Sequence, residues 1–256
     1  MTERAKLTAM VICYNSEALI RPCLESLKWA DELIVVDSFS TDSTVEIARE
    51  YADKVLQHAY EYYSAQRSWT IPHASHEWVL EIDTDERVTP ELRAEIEELL
   101  VDPKGYSGFW IPRLNYYFGR PMKYHPDPQM RLFMRDKAHY DGRLAHPKVN
   151  IDGQVGYLRN KILHFGVRDV DQAMRTMMRY AKRDAEQRNH EGFKFRPWHL
   201  FTRPLRIFIY IYFFKLQILN GLEGFAGCLL KAWYYFLIYS NLWQMQKNSD
   251  SGIEQP

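Results

Sequence analysis

Short apolar runs that end on an acid constrain this chain more than any other feature. Glu32–Asp37 reads E-L-I-V-V-D and Trp78–Asp85 reads W-V-L-E-I-D-T-D, so two runs of buried-strand character each hand over to a carboxylate. Leu7–Cys13 is a third such run and leads into Tyr14-Asn15, and Asp53–Leu56 is a shorter one. Segments with helical character separate them. Ser16–Trp29 carries Leu19, Leu24 and Leu27; Ser43-x-x-Glu46 reads as a capping box opening a helix to Tyr51; Tyr63–Thr70 is helical; Thr89-Pro90 opens a helix to Leu100. Strands alternating with helices at this spacing imply βαβ units and a parallel sheet. Ligands of such sheets gather beyond the carboxyl ends of the strands, where Asn15, Asp37, Asp83 and Asp85 fall.

The 256 residues suit one domain with an appendage. Lys plus Arg and Asp plus Glu both number 33, and this balance argues against a nucleic-acid partner, which draws a basic surplus. The balance conceals two unlike parts: residues 1–156 carry 18 basic and 25 acidic side chains, residues 157–247 carry 15 and 6. Cys13, Cys23 and Cys228 form no metal or disulfide spacing, as expected of reduced, buried cysteines. Met1–Leu7 runs straight into a short strand with no apolar leader, so the catalytic part is expected on the cytoplasmic side. From Gly105 to His164 the chain is rich in Tyr, Pro, Gly and Arg, with β-like pieces at Gly108–Leu114, Gln129–Met134 and Val155–Leu158. These read as a mixed, partly antiparallel extension of the same sheet. The organisation expected is a domain over 1–165, a basic and aromatic helical region over 166–247, and a tail over 248–256.

Asp83-Thr84-Asp85 places two carboxylates one residue apart at a strand end. Both can face one divalent cation, or one can take the cation and the other a ribose or sugar hydroxyl. Carboxylate oxygens suit Mg²⁺ or Mn²⁺, with a diphosphate completing the shell.

The set V-I-C-Y-N-S-E, I-V-V-D-S-F-S-T-D-S-T and L-E-I-D-T-D-E-R, in this order, resembles the family 2 glycosyltransferases. Later pieces resemble the branch that builds lipopolysaccharide core and related surface glycans: Ile111–Arg120, Gln129–Arg135, D-G-R-L-A-H ending at His146, and Leu163-His164. The resemblance implies a nucleotide-sugar-binding α/β fold of the GT-A type, a mixed and mostly parallel sheet with a C-terminal helical, membrane-associating appendage. It implies that Asp37 hydrogen-bonds a uracil-like base, that Tyr14 and Asn15 line the base pocket, and that Asp83 contacts ribose or sugar. Asp85 coordinates the metal. Gln66 and Arg67 close over the nucleotide or lie on a solvated helix face, and Arg131 neutralises the departing diphosphate or is a surface residue.

Inverting transfer needs a base to take the acceptor hydroxyl's proton. The branch places an acid after the histidine of the D-G-R-L-x-H segment, and Pro147 stands there in this chain. Asp127 and His146 are the remaining candidates. His125 and His164 show no ligand spacing, and His73 and His76 fall in a loop, so ordinary polar roles are expected of all four.

Ten arginines and lysines among residues 168–206 precede Ile207–Phe214 and, later, Leu229–Tyr239. No stretch there reaches about 18 uncharged apolar residues, the length of a spanning helix. Aromatics flanked by Arg and Lys fit helices lying in an anionic membrane interface, and packing on the sheet or in a dimer is the competing reading. The activity expected is metal-dependent, inverting transfer of a sugar from a nucleotide donor, UDP-linked by preference, to a lipid-linked or lipopolysaccharide-type acceptor at the inner face of the cell membrane. The alternatives are a scaffold that has lost its base and a haloacid-dehalogenase-type phosphatase. The phosphatase wants its D-x-D early, with the first Asp as nucleophile.

Overall fold

The computed structural model describes residues 4–124, 127–141 and 149–251, with side chains described to residue 248. The chain divides into two units, residues 1–115 with 126–166, and residues 116–125 with 167–256.

The first unit is built on a seven-stranded sheet. Its strands are β1 (Leu7–Cys13), β2 (Glu32–Asp37), β3 (Lys54–Gln57), β4 (Trp78–Asp83), β6 (Tyr106–Ile111), β9 (Gln129–Met134) and β12 (Gln154–Tyr157), and β5 (Glu86–Val88) follows β4 outside it. The order is β12-β6-β9-β4-β1-β2-β3. All neighbours pair in parallel except at β9, which is antiparallel to both β4 and β6. The sheet is therefore mixed and mostly parallel, as expected. A smaller sheet runs β5-β13-β7-β8, with β7 at Arg113–Tyr117, β8 at Arg120–Pro121 and β13 at Ile162–Val167; β10 (Ala138–Tyr140) and β11 (Val149–Ile151) pair separately.

The apolar runs are continuous because both faces of the sheet are covered. Leu7, Ala9, Val11, Leu33, Val35, Leu80 and Ile82 point into one core, and Met10, Ile34, Val36 and Val79 into the other. Helices α1 (Glu17–Glu25) and α4 (Pro90–Leu99) cover the first face with Ile20, Cys23, Leu24, Leu92 and Ile96. Each such fully buried side chain stabilises the fold by about 1.5–3 kcal/mol. Thr89 caps α4 by accepting from the Leu92 N–H at 3.1 Å. At α2 (Thr44–Arg49) the expected Ser43–Glu46 box does not form. The Ser43 N–H donates to Glu17 at 3.2 Å instead, and Asp42 accepts from the Thr44 N–H at 3.1 Å.

The second unit is helical apart from the β7–β8 turn. It contains α5 (Val170–His190), α6 (His199–Ile209), a π-helical turn at Tyr210–Phe214, a 3₁₀ turn at Gln217–Asn220 and α7 (Gly221–Ser251). Asp169 caps α5, accepting from the Gln172 N–H at 2.7 Å. Ala181 and Ala185 of α5 bury against Tyr234, Ile238, Tyr239 and Leu242 of α7. The Tyr234 hydroxyl donates to Asp184 at 2.7 Å in that seam. The apolar segment Trp233–Tyr239 is thus largely packed, which corrects its expected placement in a membrane interface; small α5 side chains let the α7 aromatics approach. The other apolar segment is open. Trp198, Phe201, Leu205, Ile209, Phe213 and Phe214 are exposed, and Leu216, Leu219 and Leu222 continue the surface. No single helix among the described residues is long and apolar enough to cross a membrane. The pair His199–Phe214 and Gln217–Asn248, bent by 73°, reaches that hydropathy only when taken together.

Candidate active site

Sheet register collects the strand-end residues. Asp37 stands opposite Cys13, and Asp83 opposite Ile12, so the chain leaves β1, β2 and β4 at one edge. Asn15 takes a left-handed conformation (φ 44°) and ties the first loop to the second. Its Oδ1 accepts from the Thr41 N–H at 2.8 Å, and its own N–H donates to Ser40 Oγ at 2.8 Å. Tyr14 and Phe39 are exposed on these loops, and Phe39 is held at φ 61°, a strained position for an aromatic residue.

Asp37 has no exposed surface. Its carboxylate accepts from the Ser40 N–H at 3.0 Å, from the Ser40 hydroxyl and from Gln57 Nε2 at 3.3 Å. Burial, with Asp37 beside it, pushes the Cys13 thiol up, so the thiol stays protonated and points its hydrogen at Asp37 Oδ1, 3.7 Å away. The carboxylate expected to meet the base is buried in this structure and holds the Ser38–Ser40 turn. Gln66 is buried as well, so it does not lie on a solvated helix face. On α3 (Tyr63–Thr70) it is 1% exposed, its Oε1 lies 2.8 Å from His58 Nδ1, and its Nε2 donates to Ser38 Oγ at 3.2 Å. It braces the loop that carries Phe39.

Arg67 and Arg131 are buried, so neither lies on a solvated face. They belong to a chain of ion pairs in which the sign alternates. Tyr140 donates its hydroxyl to Glu81 at 2.5 Å, and Glu81 pairs with Arg67 at 2.5 Å. Arg67 also pairs with Asp83, Asp83 with Arg131, and Arg131 with Glu86 at 2.8 Å. Glu86 lies 3.4 Å from Arg113, and Arg113 pairs with Asp127. Burial alone would raise the Asp83 carboxyl; Arg131 and Arg67 outweigh it and hold the group well below its ordinary value. The Nε atoms of Arg67, Arg113 and Arg131 are buried without a partner. Four acids and three arginines leave the chain of pairs one negative charge in excess, and Asp85 adds another nearby.

Asp85 stands outside those pairs and meets a histidine that local spacing did not mark. His164 Nε2 lies 3.4 Å from Asp85 Oδ2, and His164 Nδ1 lies 2.7 Å from Asn115 Oδ1. The cause is register. Strand β13 runs antiparallel to β5 with His164 opposite Glu86, and the Phe165 N–H donates to the Asp85 carbonyl at 2.8 Å. The contact between Nδ1 and Asn115 Oδ1 fixes the ring so that Nε2 faces Asp85. A carboxylate oxygen and an imidazole nitrogen at this separation fit two positions of one cation's shell. The mixed N,O set suits Mn²⁺ better than Mg²⁺. Among the described residues no group of three or more His, Cys, Asp and Glu side chains gathers, so the remaining ligands would come from water or a substrate.

The sequence profile of the family described as Glycosyl transferase family 2 matches residues 8–165, more than half the chain. The chain belongs to that family. This glycosyltransferase is 30% identical over 254 residues to the lipopolysaccharide core biosynthesis glycosyltransferase LpsC of Rhizobium meliloti, covering 95% of this chain and 94% of the relative. It is 27% identical to an uncharacterized glycosyltransferase of Rickettsia typhi, covering 97% and 90%. Among solved structures it resembles a mannosyltransferase of Pyrobaculum calidifontis in complex with GDP-Man and Mn²⁺, with a TM-score of 0.53, 13% identity, and coverage of 99% and 89%. That likeness shows the fold, which is of the GT-A type. The glycosyltransferase is an enzyme of the transferase class, and the phosphatase reading falls with it: the Asp83 carboxylate that would be a phosphatase nucleophile is clamped between two arginines.

Of the two base candidates, Asp127 is held by Arg113 and accepts from Gln129 Nε2 at 3.1 Å, with its side chain 42% exposed. His146, with Pro147, lies outside the described residues. Glu86, Arg113 and Asn115 lie among these residues and were not singled out from sequence, whereas His164 was named with an ordinary polar role expected of it. The alternation in I-L-H-F-G-V, which puts His164 on the same side as Ile162, was the available signal.

Proposed function

We propose that this glycosyltransferase transfers a sugar, with inversion, from a nucleoside diphosphate donor to a membrane-held glycan acceptor in the assembly of a cell-surface polysaccharide. The observation that carries this reading is the turn after β4. One arm of it, Asp85 with His164, is free to hold a divalent cation, while the other, Asp83 with Glu86, orders two arginines beside it. A cation there, Mn²⁺ or Mg²⁺, would bind the donor's diphosphate and offset the charge that collects on it as the sugar leaves. Asp83 keeps an open edge, 29% of its side chain, toward ribose or sugar while it holds Arg67 and Arg131. Arg131 supplies positive charge beside the departing diphosphate. Tyr14, Asn15 and Phe39 form the wall against which the base rests, the two aromatics offering stacking surfaces. Asp127 takes the acceptor proton as the oxygen attacks C1, with His146 as the other candidate. The acceptor class is supported by similarity along nearly the whole chain to a lipopolysaccharide-core enzyme.

Asp37, on which the uridine preference rests, is buried in this structure, so the donor test spans bases. With Mn²⁺ present, one class of nucleotide sugar should raise the melting temperature, by about 2.7 kcal/mol of apparent stability at a hundredfold excess over Kd. Uridine and guanosine diphosphate sugars are the arms to compare by thermal shift. No stabilisation by any of them, with either cation, would refute the donor reading.

The second unit is proposed to rest on the cytoplasmic face of the membrane as a peripheral anchor. The α6 stripe recurs every fourth residue at Phe201, Leu205, Ile209 and Phe213, a single helix face, with Arg203, Arg206 and Lys215 on the same segment. The protein should co-float with anionic vesicles and be released by salt. Phe201→Asp and Phe214→Asp should abolish flotation with the melting temperature unchanged, since these side chains are 73% and 74% exposed. Tyr234→Ser should instead unfold the α5–α7 seam. Undiminished flotation of both Phe variants would eliminate the anchor.

A further inference from the structure

Two neighbours decide where the Asp127 carboxylate points. Gln129 Nε2 donates to one oxygen at 3.1 Å and Arg113 Nη2 to the other. The second arm of the Arg113 fork, Nη1, lies 3.4 Å from Glu86 Oε1. Glu86 has no exposed surface, and its other oxygen accepts from the Asp83 N–H at 3.0 Å. Arg113 therefore ties an exposed carboxylate to a fixed point in the turn that bears Asp85.

We propose that Arg113 is a positioning residue for the transfer, holding Asp127 in register with the Asp83–Glu86 turn so that one guanidinium sets both the base and the donor end of the reaction. The inference rests on the reading of Asp127 as base. A guanidinium is planar and presents donors on two edges, so it fixes two carboxylates relative to each other; an ammonium is a point charge and cannot. Asp127 needs such a tie. It stands between Pro126 and Pro128, which restrict the backbone but leave the side-chain torsions free. A base displaced by an ångström costs about 10²-fold in rate. The fold does not depend on the tie to the same degree, because Glu86 keeps Arg131 at 2.8 Å when Arg113 is replaced.

The test is a double-mutant cycle on steady-state transfer, using Arg113→Lys, Arg113→Gln, Asp127→Asn and the Arg113→Gln/Asp127→Asn pair. Each Arg113 variant is expected to lose about 10–100-fold in kcat with the donor KM unchanged. Lysine keeps the charge beside Glu86, so its failure to rescue isolates the fork. The double variant should be no slower than Asp127→Asn alone, because Arg113 acts only through Asp127. Losses that multiply in the double variant, or that come with a raised donor KM and a lowered melting temperature, would mark a merely structural arginine and overturn the proposal. A slow Asp127→Asn beside fully active Arg113 variants overturns the positioning alone. A fully active Asp127→Asn overturns the base reading itself.

Discussion

Asp85→Ala is expected to yield a folded protein without metal-dependent transfer. Asp85 takes no part in the chain of ion pairs; His164 lies 3.4 Å from it and Arg87 interacts with it electrostatically, and the Asp85 and His164 side chains keep some contact with solvent. Truncating it removes no buried partner, so stability should stay within about 0.5 kcal/mol of the parent. Turnover should fall by roughly 10³-fold or more, since a cation offsetting leaving-group charge contributes several kcal/mol to the transition state. Donor affinity should weaken and lose its dependence on Mn²⁺, which titration calorimetry with and without the metal reads directly. His164→Ala should share the direction of both effects. Full, Mn²⁺-responsive activity in Asp85→Ala would overturn the metal assignment.

Asp83→Asn, two residues away, is expected to behave in the opposite way. Asparagine matches the shape but not the charge, and Arg67 and Arg131 each lose a carboxylate in a site where both are buried. Breaking a buried pair on one side costs about 3–5 kcal/mol. For a protein of this size the melting temperature should drop by roughly 10 °C. The pH dependence follows from the depressed Asp83 carboxyl. Its contribution is complete above the ordinary value of 3.8 and is lost as the pH falls toward the lower folded value. The gap between parent and variant should be full at neutral pH and narrow in strong acid. Denaturant midpoints measured at neutral and acidic pH check this, and an unchanged midpoint at neutral pH would contradict it. Both outcomes together would divide the labour of the D-x-D motif, with Asp83 ordering the site and Asp85 holding the metal.

That division shows what was legible in the sequence. Runs such as E-L-I-V-V-D are buried on both faces, so composition alone marks them as central strands, and the acids that close them mark the sheet edge. The location of the site followed from this. The roles within it depend on partners far away in sequence. Arg131 reads equally as a diphosphate contact or a surface residue until β9 inserts beside β4, and the place of Glu86 is set only when Arg113 and Arg131 surround it. His164 had no ligand spacing because its partner is reached by strand pairing. In the second unit, the aromatic runs at Ile207–Phe214 and Trp233–Tyr239 are compositionally alike. What separates them is Ala181 and Ala185 on α5, whose small side chains admit Tyr234 and Tyr239 and leave the α6 face without a cover.

The one antiparallel strand of the seven-stranded sheet has a consequence for synthesis. Until Gln129–Met134 emerges from the ribosome, the β4 edge carries unpaired backbone amides and carbonyls along Trp78, Val79 and Leu80, flanking an already collapsed apolar layer. The nascent chain therefore passes through a stage in which its most apolar strand end is open to neighbouring polypeptides. The same strand brings Arg131, so the event that seals the edge also neutralises Asp83 and Glu86. The sealed edge and the arginine that orders the Asp83–Glu86 turn arrive in one step, and a chain stalled before β9 has neither.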